Sequence, residues 1–467
     1  MFSRPLAFAL ALVLIAAAVC AAQVQGPSTT TAGRISSDSL LKSKVLSNGL
    51  EVIVYEDHTV PLVTVNFVVK AGSFVESLNE SGLSHLDEHM FFKSNRASKN
   101  QEPYLENIGE MGINYNGSTF EEHCEEYVTT LTPNFPVAIH YLRDAARYPL
   151  FDPDEVLKER AVVLDESDRN DANPYGLIEN QMTTRLFYMY PNRKLPGGSR
   201  DVVGHATPEL LRTFYDRYYV PNNAALVIAG DLTPAEAFKQ AESFFGDWPR
   251  AADPFERFPV PVNPPLPKSS AEILQGPVQN VIIEMGWQGP SIGKDNAATY
   301  AADVFSYIVR QPNSRFQKAL VDSGLASAVG LGYYTQRYVG PIKIIVETTP
   351  EKARATLVAL QKEISHFGDP DYFSDPELRD AKTLLGVNDL FEREKTSEYA
   401  ITLGFWWAST GIDYFRGYQQ TLAAVTRADI SRYLNTYVLG KPHVALVLLS
   451  PDAQKRIQLK PEEVLGQ

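Results

Sequence analysis

The sequence predicts an α+β fold built from two homologous domains, each a mostly antiparallel sheet packed with helices. Three observations lead to this prediction. Apolar residues follow the period of a strand in some segments and the period of a helix in others. A proline-rich segment interrupts these patterns near the middle, and similar helix-to-strand patterns lie on both sides of it. A chain of 467 residues with 44% hydrophobic content is long enough to fill two cores.

Residues 1–22 are predicted to be a secretory signal peptide. One arginine precedes an apolar stretch from Pro5 to Val19, and small residues follow up to Ala22. This stretch is shorter than the ~20 residues that cross a bilayer, and no later segment qualifies. We therefore expect a periplasmic protein whose mature chain has no transmembrane segment. Lipidation at Cys20 is the alternative.

The first domain is predicted to span residues 44–248, after a flexible leader at 23–43 that is rich in Ser, Thr and Gly. An Asn-Gly turn at residues 48–49 lies between apolar alternations, which predicts a β-hairpin that leads into a strand at 60–69. Further elements follow: helices at 83–92, 102–111, 135–148 and 154–170, and strands at 113–120 and 125–131.

Residues 249–270 are predicted to be an extended interdomain linker, because seven prolines in this segment exclude helix and central strand. The second domain is then predicted at 271–467. A helix end followed by an apolar strand occurs at 214–231 and again at 433–452. This weak repeat indicates that the α+β domain is duplicated.

Composition excludes two classes of protein. The formal net charge of −13 and the pI near 5.2 argue against a nucleic-acid binder, which needs clustered Lys and Arg. Once the signal peptide is removed, Cys124 is the only cysteine, so the mature chain has no internal disulfide. Its stability must therefore come from packed cores.

The segment from His85 to His89 has the sequence H-x-x-E-H, with Glu88 as the acid. At positions i, i+3 and i+4 of a helix, the three side chains share one face. Two imidazoles can bind one Zn²⁺, and the carboxylate beside them can deprotonate a bound water. The order is the reverse of the more common H-E-x-x-H motif, and it does not recur in the second half. The pattern predicts a zinc site with its own base.

A catalytic zinc needs a third protein ligand and one open position for water. The long helix predicted at 154–170 offers Glu159 and Glu166, which are seven residues apart and therefore share a face. The residues alone leave open which of the two completes the site and which supports it. Asp165 is a weaker alternative, because a step of one residue turns a helical side chain by about 100°.

Together these features resemble the pitrilysin superfamily, the inverzincin metallopeptidases that include insulin-degrading enzyme and the mitochondrial processing peptidase subunits. The resemblance rests on the inverted motif, on E-R-x-V-V-x-x-E from Glu159 to Glu166, and on the Asn173-Pro174 that follows. It covers nearly the whole mature chain and is closest to the bacterial, half-length type with two domains.

The resemblance implies a zinc metalloendopeptidase that hydrolyses peptides or unfolded polypeptide segments. It implies that His85, His89 and Glu166 bind one Zn²⁺ per chain and that Glu88 is the general base. Glu159 matches the family's acidic position that supports this site.

The resemblance also places Asn116, Gly117 and Ser118 on the family's edge strand, with Asn116 near the scissile peptide. An exposed edge strand can bind an extended peptide through main-chain hydrogen bonds, and such binding reads little sequence. A turn-rich strand without this role is the alternative.

The second half departs from the family. Active single-chain relatives carry an Arg and a Tyr there that bind substrate and stabilise the reacting carbonyl, whereas the matching positions here hold Leu320 or Val321 and Ser327. Arg393 and Tyr399 lie outside that segment. Because half-length relatives pair two chains into a clam-shell chamber, we expect a heterodimer in which a paralogous subunit supplies the Arg/Tyr pair. A self-sufficient homodimer and a non-catalytic structural or assembly subunit are the alternatives.

The remaining ionisable candidates are expected to be structural. Asp87 stands where the family usually has an apolar residue, and we expect altered packing with a buried hydrogen bond. The stretch His123-Cys124-Glu125-Glu126 looks like a second metal cluster, but a solvated or interface-facing turn is favoured. Ordinary roles are expected for the isolated histidines His58, His140, His205 and His443.

Overall fold

The computed structural model describes residues 40–96 and 112–466. The predicted signal peptide, most of the predicted leader and the helix predicted at 102–111 lie outside the described residues. In the part of the chain that is described, no helix is both long enough and apolar enough to span a membrane.

The strands of the described residues are β1 Leu41–Val45, β2 Glu51–Glu56, β3 Leu62–Val69, β4 Asn114–Thr119, β5 Cys124–Leu131, β6 Ala224–Gly230, β7 Ser270–Gln275, β8 Val281–Gln288, β9 Ala328–Tyr333, β10 Pro341–Thr348 and β11 Val444–Leu449. The α-helices are α1 Leu83–Phe91, α2 Phe135–Arg147, α3 Pro153–Ala172, α4 Pro174–Leu186, α5 Arg200–His205, α6 Pro208–Tyr218, α7 Pro234–Phe245, α8 Pro254–Arg257, α9 Asn296–Arg310, α10 Arg315–Gln317, α11 Ala353–His366, α12 Asp375–Glu392, α13 Thr396–Ser409, α14 Ile412–Ala424, α15 Arg427–Tyr437, α16 Pro451–Ile457 and α17 Pro461–Leu465.

Two sheets with the same topology confirm the predicted α+β fold. The first sheet has the order β1-β2-β6-β3-β5-β4, and the second has the order β7-β11-β8-β10-β9. In each sheet one pair of strands is parallel, β2 with β6 and β7 with β11, and the other pairs are antiparallel. Strand β1 has no counterpart in the second sheet. The two halves therefore repeat one five-stranded arrangement.

Each sheet is covered on one face by helices of its own half and on the other by a helix from the opposite half. The two large cores lie between each sheet and its own helices. Helix α4 packs on the second sheet, where Met182 and Leu186 contact Leu446. Helix α13 packs on the first sheet, where Leu403 and Trp407 join the cluster of β2 and β6. This exchange of helices couples the two halves.

Two details differ from the predicted segment bounds. Strand β1 begins at Leu41 and so includes the last three residues of the predicted leader. All five of its residues pair with residues 51–55 of β2. The proline-rich segment 249–270 contains one short helix, α8, because Asp253 caps the backbone N–H of Phe255. Its remainder forms no strand until β7 begins at Ser270.

Candidate metal centre

Helix α1 presents two imidazoles and a carboxylate on the side that faces away from the first core. Leu86 and Met90 are buried in that core. His85, Glu88 and His89 lie on the opposite side and are only partly buried. The helix is therefore anchored by its apolar stripe and directs its polar side chains toward α3 and β4.

The start of α1 is fixed by Gly82 and Glu76. Gly82 has a φ of 99°, and a Cβ there would lie 2.6 Å from Val203. The buried carboxylate of Glu76 accepts hydrogen bonds from the backbone N–H groups of Gly82 and Ser84, at 2.8 Å each. These donors have no partner within the helix, so the carboxylate fixes where the helix begins.

Helix α3 carries the two acids that the sequence pattern indicated. Asp152 caps its first turn and Pro153 occupies the first helical position. The residues that it buries are Val156 and Val163, which anchor it to the first core. Glu159 and Glu166 each follow a buried valine by three residues and lie along the edge of that stripe, toward α1.

Three side chains converge on one point between α1 and α3. Oε2 of Glu166 lies 3.6 Å from Nε2 of His85 and 3.4 Å from Nε2 of His89. The three ligand atoms lie within 4.8 Å of one another. A tetrahedral zinc with bonds of about 2.0–2.2 Å separates its ligand atoms by roughly 3.3–3.6 Å. Two imidazole nitrogens and one carboxylate oxygen at these spacings fit a catalytic zinc with an open fourth position.

Glu159 contacts the other nitrogen of His89. Its Oε2 lies 3.1 Å from Nδ1, and its Oε1 accepts from the ammonium of Lys93 at 2.8 Å. A carboxylate on Nδ1 holds the ring proton there and leaves Nε2 free for a metal. Glu159 and Glu166 therefore occupy different places, whereas Asp165 is exposed on α3. Helical spacing could not indicate Lys93, because α1 ends at Phe91 and Lys93 lies in the bend that follows.

The side chain of Glu88 extends from α1 to β4. The hydroxyl of Thr119 donates to its Oε2 at 2.8 Å. Burial raises the pKa of the Glu88 carboxyl to about 7, against the opposing effects of His89 and of the Thr119 hydroxyl. On the same face of β4, a Cβ at Gly117 would lie 2.7 Å from Cγ of Glu88. The strand therefore approaches this acid as closely as a glycine allows.

The predicted substrate residues lie on two faces of β4, the last strand of the first sheet. Gly117 pairs with Glu126 of β5 and faces Glu88. Asn116 and Ser118 alternate with it and so point to the opposite face. Thr119 was not among the predicted site residues, although strand alternation places it on the same face as Gly117, toward Glu88.

Asp87 differs in part from the expectation. It is buried, with 2% of its surface exposed, which agrees with the expected change in packing. Neither carboxylate oxygen has a hydrogen-bond partner among the described residues, so the expected buried hydrogen bond is absent there. Burial, together with nearby Glu76, raises the pKa of this carboxyl well above its usual value, which favours its neutral form.

The stretch His123-Cys124-Glu125-Glu126 is buried and is not a solvated turn. From Cys124 onward it belongs to β5, so its side chains alternate between the two faces of the sheet. Cys124 lies against Ser84 of α1, whereas His123 lies near Phe405 of α13, at the contact between the halves. Within the described residues, the only potential metal cluster is His85, His89 and Glu166.

In the second half, the residues at the family's Arg and Tyr positions have structural contacts. Leu320 is buried in the second core and Val321 packs against it. The hydroxyl of Ser327 donates to the backbone carbonyl of Glu347. Arg393 forms an ion pair with Asp389 at 2.5 Å and stacks on Tyr399. These contacts are consistent with packing and give neither Arg393 nor Tyr399 a place beside the candidate metal ligands His85, His89 and Glu166.

Comparisons with known proteins agree with this architecture. The family described as "Insulinase (Peptidase family M16)" matches residues 51–194, and the one described as "Peptidase M16 inactive domain" matches residues 205–385. An "Uncharacterized zinc protease" of Rickettsia felis is 26% identical over 369 residues, which cover 78% of this chain and 87% of that protein.

Solved structures show the same fold. A protease from Helicobacter pylori superimposes with a TM-score of 0.77 at 22% identity, over 88% of this chain and 99% of that one. The first half of the periplasmic protease PqqL from Escherichia coli gives a TM-score of 0.74 at 18% identity, over 92% and 96% of the two chains. Since the two family matches together cover most of the chain, at residues 51–194 and 205–385, this chain belongs to the M16, or pitrilysin-type, peptidase family.

Proposed function

We propose that the protein is a zinc metalloendopeptidase that hydrolyses peptides or unfolded polypeptide segments. The observation that carries the proposal is the convergence of His85, His89 and Glu166, with Glu88 next to His89 on the same side of α1. The zinc proteases among its relatives support it. In this proposal the chemistry lies in the first domain, residues 44–248, which the linker 249–270 joins to the second domain, residues 271–467.

His85, His89 and Glu166 would hold the metal. Zinc in such a site supplies Lewis acidity, which lowers the pKa of a water and polarises the scissile carbonyl. Glu88 accepts the proton of the attacking water and passes it to the leaving amine. Glu159 keeps the ring of His89 in the orientation and tautomer that binding requires.

We propose that the substrate binds along β4 as an added strand. β4 pairs with β5 on one side, and among the described residues no strand pairs with its other side. Main-chain groups of Asn116, Gly117 and Ser118 would then bind the peptide, with Gly117 nearest to the base. Recognition through main-chain groups implies broad specificity.

The partner is a further part of the proposal. The positions that match the Arg and Tyr of active single-chain relatives hold Leu320 or Val321 and Ser327, so a paralogous subunit would supply the pair and close a clam-shell chamber. A periplasmic location is supported by the predicted signal peptide and by the periplasmic relative PqqL.

Zinc content and cleavage of a quenched fluorescent peptide test the proposed activity. We expect about one zinc per chain, cleavage that a chelator abolishes, and recovery when zinc is added back. A zinc-loaded protein that cleaves no unstructured peptide, alone or with its native partner, would instead support a structural or assembly subunit.

Purification of the tagged chain from its native host tests the partner. We expect a chain of similar size that carries an Arg/Tyr pair to copurify and to raise the cleavage rate. If the chain alone forms a homodimer with full activity, the paralogue is unnecessary.

A further inference from the structure

The contact between β4 and Glu88 joins the predicted substrate strand to the predicted base. Thr119 lies at the end of β4, and its hydroxyl oxygen is 2.8 Å from Oε2 of Glu88. Gly117, two residues earlier on the same face, limits the space on the side of Oε1: a Cβ there would lie 2.9 Å from that oxygen. Residues of β4 therefore lie close to both carboxylate oxygens of Glu88.

The hydroxyl of Thr119 has one proton to donate. Its other neighbours are farther away: the carbonyl oxygen of Ser84 at 3.4 Å and the thiol of Cys124 at 3.5 Å. The thiol can in turn donate to the carbonyl of Ala71 at 3.4 Å. Donation to an ionised carboxylate is stronger than donation to a neutral carbonyl, so Glu88 receives the proton of Thr119.

We propose that Thr119 is a positioning residue for the general base. Its hydroxyl holds Oε2 and so fixes the rotation of the Glu88 carboxylate, which leaves Oε1 to exchange the proton. The inference rests on the proposed zinc peptidase function and adds to it a residue that contacts neither the metal nor the substrate.

This arrangement separates the effects on binding and on turnover. If β4 takes the substrate through its main chain, a distorted β4 weakens substrate binding and raises KM. Loss of the hydroxyl alone leaves the strand paired with β5, so it lowers kcat and leaves KM unchanged. A merely structural role for Thr119 would not produce this split.

Two substitutions test the proposal. Thr119→Val keeps the shape and removes the hydroxyl, and Thr119→Ser keeps the hydroxyl. We expect Thr119→Val to lower kcat by about 10- to 100-fold, the range for a lost hydrogen bond to a charged group, with KM and zinc content unchanged. Thr119→Ser should restore kcat to within about 3-fold of the wild type, since it retains the donor. If the valine variant does not fold, Thr119→Ala provides the same comparison.

Thr130→Val is the matched control, because Thr130 is buried on β5 and its hydroxyl has no partner among the described residues. It should keep both kcat and KM.

A peptide in which the scissile amide is reduced cannot be cleaved, so fluorescence anisotropy can measure its affinity for the enzyme. This affinity should be equal in the wild type and in Thr119→Val. An unchanged kcat in Thr119→Val, or a lower kcat in Thr119→Ser as well, overturns the positioning role alone. A zinc-loaded wild type without hydrolysis overturns the proposed function and the inference with it.

Discussion

The first helix after the central antiparallel strand differs between the two halves in the side chains that it presents outside the core. In the first half, α1 follows β3 and presents His85, Glu88 and His89 away from the core. In the second half, α9 follows β8 and has no histidine. Both helices bury two thirds of their residues, six of nine in α1 and ten of fifteen in α9, and the sheets have the same topology. One scaffold therefore supports either helix, and the side chains outside the core decide whether metal ligands are present.

Each of these helices also carries an acid with an elevated pKa. Burial raises the pKa of Glu88 to about 7, and burial raises that of Asp303 on α9 to about 7 as well. Each acid accepts a hydrogen bond from a hydroxyl group: Glu88 from Thr119, and Asp303 from Tyr418 at 2.5 Å. Only Glu88 has imidazoles beside it. A raised pKa therefore marks burial, and the surrounding ligands mark a candidate for catalysis.

The largest effect is expected from loss of a metal ligand. His85→Ala should lose zinc and all measurable hydrolysis, because two ligands hold the metal far less tightly than three. His58→Ala is the control, since His58 is exposed and pairs with Asp231 and Glu56 away from the candidate centre. Metal analysis after dialysis measures both variants. Full zinc content in His85→Ala would show that His85 is not a metal ligand, and the proposed difference between α1 and α9 would then be wrong.

Neutral isosteres of the two buried acids test the comparison directly. Glu88→Gln should keep zinc and lower kcat by about 10²- to 10⁴-fold, the contribution of a general base. Asp303→Asn should leave kcat within about 2-fold, because its hydroxyl partner remains and no ligand is near. Peptide hydrolysis at saturating substrate measures both. Similar losses in the two variants would show that burial of an acid, and not base catalysis, governs activity.

Glu159→Gln should weaken zinc binding by about 10- to 100-fold, the usual cost of losing a carboxylate that supports a ligand imidazole. The glutamine also leaves the ammonium of Lys93 without its charge partner. Asp165→Asn, on the same helix but exposed, should not change the affinity. Competition with a chromophoric chelator measures both affinities. An unchanged affinity in Glu159→Gln would contradict the role of Glu159 in holding His89.

The smallest effect is a pH-dependent change in stability at Asp303. Its carboxyl titrates near pH 3.9 when unfolded and near 7 when folded, so between these values the folded state binds more protons. This group's contribution to stability therefore falls as the pH rises from about 4 to 7. Asparagine does not titrate, so Asp303→Asn should not lose stability in this way. The free energy of unfolding of the variant minus that of the wild type should rise by roughly 1–3 kcal/mol between pH 5 and pH 8. Urea unfolding at the two pH values measures it; a constant difference would contradict a protonated Asp303.

Spacing along the sequence was informative where one helix or strand decides the geometry. It predicted that His85 and His89 share a face and that Glu159 and Glu166 lie on one side of another helix. Contacts between distant segments could not be derived in this way. The approach of Gly117 to Glu88 depends on how β4 lies against α1. The lack of a hydrogen-bond partner for Asp87 within the described part of the chain depends on the packing around it.

The exchanged helices were not predicted either. Helices α4 and α13 have apolar sides like any other helix, and nothing in their sequences indicates which sheet each one covers. The start of β1, the first strand of the predicted hairpin, was placed too late because four of its five residues are exposed, so its pattern is that of a polar leader. Its backbone pairing with β2, and not burial, makes it a strand.

The exchange has a consequence for how the protein is made and how it can be divided. The side-chain amide of Asn66 on β3 donates to the carbonyl of Ala400 on α13, a contact that joins residues 334 positions apart. One face of the first sheet therefore stays open to solvent until nearly the whole chain has been synthesised. A fragment that ends in the linker keeps His85, His89 and Glu166 but exposes an apolar surface that α13 would have covered, so we expect it to be less stable and more prone to aggregate than the full pair of domains.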